Sequence, residues 1–72
     1  MGIKDLKIGK NYVIEPQDRY EDYLLEVNII DITSKAIKWE RVDIKKEDRH
    51  PSWVLASGFS KKYTIIEELG NA

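Results

Sequence analysis

Seventy-two residues with a formal net charge of −1 and no cysteine make a single domain, residues 1–72, whose thin core has neither disulfide nor thiolate–metal staples to support it. The near-zero charge gives no global attraction to nucleic acid or to an acidic membrane. No apolar run approaches the roughly 20 residues of a membrane span, and Met1–Lys10 lacks a signal-peptide apolar core, so a cytoplasmic protein without membrane contact is expected.

In chain order, Leu6 to Lys10 reads as a lead-in that turns at Gly9. Asn11 to Glu15 reads as a first strand with Tyr12 and Ile14 on one face and Val13 on the other. Pro16 ends it, because proline cannot continue a central ladder, and Gln17 to Asp22 is a polar loop. In the second strand Tyr23, Leu25, Val27 and Ile29 alternate with Leu24, Glu26 and Asn28, a period of two. The phase then slips, since Ile30 and Ile32 carry the apolar series onward around Asp31. Such a slip in a strand with a buried face predicts a bulge or sharp bend near Ile29–Ile30.

Thr33–Lys35 supplies a turn. The third strand runs from Ala36 to Asp43, with Ile37 and Trp39 facing the core and Lys38 and Glu40 opposite; Val42 and Ile44 continue on the other parity. Lys45 to Arg49 is a charged loop. Pro51 to Lys62 admits a strand through Trp53, Val54 and Leu55, or a helical turn with Ser52 as N-cap and Gly58 past its end. The favoured reading is a strand over Trp53–Ala56 and a tight turn near Gly58–Lys61. Tyr63 to Glu67, with β-branched Thr64, Ile65 and Ile66, is the last strand, and Leu69–Ala72 is expected to fray.

Five short strands, two phase slips and no long helix predict an all-β fold: one five-stranded, bent, antiparallel barrel with at most one short helical turn. An α+β fold with a real helix over Pro51–Lys62 is the alternative. The expected core comprises Leu6, Ile8, Tyr12, Ile14, Leu25, Val27, Ile29, Ile37, Trp39, Phe59, Tyr63 and Ile65, and Tyr23 is assigned to it as well.

The opening Leu6-x-Ile8-Gly9-Lys10-x-Tyr12, the bent hairpin after it, and then Trp53, Phe59 and a closing Tyr63-x-Ile65-Ile66 strand resemble SH3-like and Tudor-like barrels. The overall pattern is similar to that of small uncharacterised barrels of phage and prophage origin. The resemblance covers about Leu6 to Leu69 and implies a barrel architecture, which hosts many unrelated functions.

Catalysis is not expected. His50 is the one histidine, Ser52 is its near neighbour in sequence, and no glycine-rich turn offers an oxyanion hole. Glu47, Asp48 and His50 lack both the alternating oxygens of a calcium loop and the four donors of structural zinc, so no metal or other cofactor is expected. The paired acids Glu21–Asp22 and Glu67–Glu68 read as solubilising charges on loops and strand edges.

Binding fits the composition better. Residues 18–23 mix aromatics with acids, as the first loop of peptide-binding SH3 domains does; that resemblance implies a groove from Tyr20, Trp39 and Trp53, with Asp18, Glu21 and Asp22 meeting ligand cations. The charge is uneven: six acids and one base from Glu15 to Asp31, then eight bases and four acids from Lys35 to Lys62. Lys35, Lys38, Arg41, Lys45, Lys46, Arg49, Lys61 and Lys62 are therefore the candidates for nucleic-acid contact, diluted by Glu40, Asp43, Glu47 and Asp48. A third class is an assembly protein, self-association included. The expectation is a non-enzymatic interaction module with a protein partner or a second copy ahead of nucleic acid, and no small-molecule substrate.

Overall fold

Strands carry most of the chain: β1 (Lys10–Pro16), β2 (Leu25–Ile32), β3 (Ala36–Arg41), β4 (Ser52–Leu55) and β5 (Tyr63–Asn71). A helix, α1 (Ala56–Lys62), joins the last two, and single 3-10 turns cover Ile3–Asp5 and Lys46–Asp48. This computed structural model describes residues 2–17 and 23–71, Asn71 by its backbone alone.

The strands form one antiparallel sheet in the order β4-β3-β2-β1-β5, an all-β arrangement compatible with an SH3-like barrel. β1 to β4 are a meander, and the chain then crosses from one end of the sheet to the other through α1 alone. Flat strands about 4.8 Å apart would set β4 and β5 about 19 Å from each other. Seven helical residues rise only about 10 Å. The sheet must therefore curl to bring its ends within reach of that helix.

Curling gives the sheet an inner face, and the core lies on it. Tyr12, Ile14, Leu25, Val27, Ile29, Ile37 and Ile65 come from the strands, Leu6 from the lead-in and Phe59 from α1, all buried. Phe59 stacks edge-on with Trp39 (6.0 Å) and lies 5.2 Å from Tyr63, which in turn meets Trp39 at 5.7 Å. This aromatic trio ties β3 and β5 together across the helix. Trp39 and Tyr63 are half-buried and packed against the core, not within it.

The phase slip in β2 is a bulge. Ile29 pairs with Trp39 and Asp31 with Lys38, so Ile30 has no partner across the ladder. β5 carries two more irregularities, which leave Ile66 and Leu69 as its extra residues against β1. Thr33 closes the β2–β3 turn, its N–H donating to the Ala36 carbonyl at 2.8 Å and its Oγ1 accepting from the Ala36 N–H at 2.9 Å.

The structure corrects several expectations. Ile8 is 57% exposed. It occupies the first corner of a turn closed by the Lys10 N–H on the Lys7 carbonyl, with Gly9 following at φ +84°, so its side chain points away from the sheet. Tyr23 is also exposed, because the β1–β2 ladder begins only at Leu25, opposite Ile14. The tight turn expected near Gly58–Lys61 is the seven-residue helix α1, held at its start by the Ala56 N–H on the Lys35 carbonyl (2.8 Å). β3 stops at Arg41 rather than Asp43, although the Val42 N–H still reaches the Glu26 carbonyl. The end of β5, expected to fray, is paired through Gly70 and Asn71 with Asn11 and Lys10.

Candidate interaction surface

Antiparallel strands place directly opposed residues on the same face. Across β3 and β4, Trp39 opposes Ser52, Lys38 opposes Trp53, Ile37 opposes Val54 and Ala36 opposes Leu55. Ile37 is buried, so the Ile37, Trp39, Val54 set faces inward. Ala36, Lys38, Trp53 and Leu55 consequently face out. The two tryptophans lie on opposite faces of the curled sheet, so the single aromatic groove expected from Tyr20, Trp39 and Trp53 is divided. Tyr20 and the acids Asp18, Glu21 and Asp22 lie outside the described residues.

The outward set is unusual in its chemistry. Trp53 is 51% exposed and Leu55 64%, side by side on a strand at the end of the sheet. The Lys38 ammonium lies 5.9 Å from the centre of the Trp53 ring. On the other side of Lys38, across β2–β3, stands the exposed Asp31. The row Asp31–Lys38–Trp53 thus crosses three strands, passing from carboxylate to ammonium to aromatic ring. β4 holds no charged residue, no proline and no bulge, the devices that commonly blunt a strand edge.

The basic residues of the second half are spread over several elements. Arg41 is turned onto Asp43 in a two-pronged pair, Nε to Oδ1 at 3.0 Å and a terminal nitrogen to Oδ2 at 3.1 Å. That hydrogen bonding holds the Asp43 carboxyl below its ordinary pKa. Arg49 donates to the Ile44 carbonyl at 3.1 Å and the Val42 carbonyl at 3.0 Å, bracing the 42–51 loop. Lys35 sits at the β2–β3 turn beside α1, Lys45 and Lys46 on the 42–51 loop, and Lys61 and Lys62 at the end of α1, all exposed.

Between β3 and that loop is an open hollow of about 220 Å³, lined by Trp39, Arg41, Ile44, Asp48, His50 and Ser52. The buried Trp39 Nε1 finds no acceptor among the described residues. No group of three His, Cys, Asp or Glu side chains converges there or elsewhere among the described residues. No described helix is long and apolar enough to cross a membrane.

Sequence reasoning singled out Trp53 and Lys38 but placed them in different candidate sites. Leu55 was missed as a surface residue, because Trp53-Val54-Leu55 is an unbroken apolar run without alternation to reveal its parity. Compared with protein-family models, curated proteins and solved structures, the chain matches none.

Proposed function

We propose that this chain is a non-enzymatic interaction module, an SH3-like barrel that contacts a protein partner through the outward face of β3 and β4. The observation that carries the reading is Trp53, half exposed on a terminal strand with Leu55 beside it and the Lys38 ammonium 5.9 Å from its ring. Tryptophan supplies large contact area at little entropic cost and is enriched among residues that dominate binding energy. An apolar pair on a strand edge without protective charges is a surface that gains by being covered.

Affinity capture with the wild-type chain and with Trp53→Ala, each shown to be folded by circular dichroism, tests it. The partner is retained by the wild-type chain and lost, by ten-fold or more, with the variant. Equal retention by both contradicts the reading.

Exposure of Trp53 also favours a second reading, contact with single-stranded nucleic acid. An exposed ring beside a lysine matches the pairing of base stacking with phosphate attraction. An amide-shift titration with a short single-stranded DNA at low and moderate salt separates the two. Shifts at Lys35, Lys38 and Trp53 that fade with salt support nucleic acid, and no response removes it.

A further inference from the structure

The sheet has two ends, and they differ in chemistry. β4 pairs only with β3, and β5 only with β1, among the described residues. The β4 end offers Trp53 and Leu55 with Lys38 beside them. The β5 end offers Ile66, Glu67, Glu68 and Leu69 in succession, all exposed. Glu68 is held by Lys10 at 3.8 Å, whereas Glu67 has no ion-pair partner among the described residues.

Three self-pairings are available. Two β4 ends would bring apolar residues together but leave Lys38 only the Asp31 already opposite it in its own copy, adding no charge pair between copies. Two β5 ends would set acidic runs against each other at bulged edges, which is repulsive. Only β4 against β5 gives apolar residues on apolar residues and a lysine facing a glutamate. A net charge of −1 adds little general repulsion between copies.

We propose that copies of this chain associate head to tail, with Trp53, Leu55 and Lys38 of one copy docking on Ile66, Glu67 and Leu69 of the next. The proposal rests on reading the β4 face as an interaction surface and names a second copy as its occupant. The contact is heterologous, so an open assembly keeps one unused face at either end. The chain of contacts closes into a ring or extends as a filament according to the rotation between copies. Side chains carry the contact, because the bulges at Ile66 and Leu69 break any long main-chain ladder.

Sedimentation velocity of the full chain, over concentrations rising to about a millimolar, is the test. The expected result is a mass that climbs beyond the monomer with concentration. Trp53→Ala and Glu67→Lys, each confirmed as folded by circular dichroism, both stay monomeric alone. Mixed in equal amounts they form a one-to-one dimer and nothing larger, since each retains the face the other lacks. The double exchange Lys38→Glu with Glu67→Lys in one chain restores association.

A wild-type chain that stays monomeric throughout overturns the proposal, as does association that survives both single substitutions. If that monomer still captures a different protein through Trp53, self-association alone has failed and the interaction reading stands. If Trp53→Ala alters neither self-association nor capture, both fail.

Discussion

Lys38 and Trp53 oppose each other across the β3–β4 ladder, with the lysine ammonium 5.9 Å from the centre of the indole ring. One residue further along β3, Trp39 opposes Ser52 and packs edge-on against Phe59. A shift of one residue in this register would set the two tryptophans opposite each other on the same face. The same ladder therefore places one indole against the core and the other in solvent, and their roles divide accordingly.

That division is measurable by urea denaturation. Trp39→Ala removes a ring packed on Phe59 and Tyr63 and is expected to cost about 3 kcal/mol or more. Trp53→Ala removes a half-exposed ring and its cation–π contact, a clearly smaller cost than that of Trp39→Ala. Equal shifts in the two midpoints would show that the register assigned to β3 and β4 is wrong.

Tyr12 gives the fold an alkaline limit. Its ring is buried, and its hydroxyl oxygen accepts from the Lys7 N–H at 2.8 Å while the O–H donates toward the Asp5 carbonyl at 3.4 Å. Burial, with the nearby Glu68 carboxylate in support, raises the phenol above its ordinary pKa. A raised folded-state value means the unfolded chain loses this proton first. The stabilisation is complete below about pH 10 and declines as the pH rises through the folded-state value. Tyr12→Phe leaves the Lys7 N–H without its acceptor and is expected to cost about 1 kcal/mol at neutral pH. Thermal melts of both proteins between neutral pH and pH 11 should show the gap between them narrowing; a constant gap would contradict the assignment.

Two glycines respond to alanine in opposite senses. Gly9 has φ +84° and open space where a Cβ would stand, so Gly9→Ala is opposed by backbone strain alone and costs more than about 1 kcal/mol. Gly58 lies within α1, and an added Cβ would meet Val54 Cγ2 at 3.9 Å and Leu55 Cβ at 4.0 Å, ordinary contacts. Gly58→Ala should stabilise the domain by up to about 1 kcal/mol. Chemical denaturation of both variants reads the two signs directly.

Elements with a regular period were legible in the sequence. The alternation from Leu25 to Ile29 defined β2, and the slip at Ile30 marked the bulge seen between Ile29 and Asp31. α1 was legible only as the less favoured alternative over Pro51–Lys62, because it buries Phe59 alone and leaves no repeating apolar stripe for a helical period to show. Its formation is a tertiary demand: the crossing from β4 to β5 needs a short, rigid span with one anchor. The end of β5 was missed for a related reason, since Glu67-Glu68-Leu69-Gly70 has little β preference and is held by its pairing with β1. The candidate surface was half legible. Trp53 and Lys38 stood out as residue types, but only the register across β3 and β4 brings them together.

The most direct test of the β4 face as the contact surface is site-specific photocrosslinking in cells expressing the full chain. A photoreactive amino acid replaces Leu55, and in a separate chain the exposed Leu24, just ahead of β2 and on neither end strand, serves as the control. Irradiation is expected to yield discrete covalent adducts from position 55 and none from position 24, whether the captured partner is another protein or a second copy. Adducts from position 24 with none from position 55 would contradict the assignment and place the contact surface elsewhere on the domain.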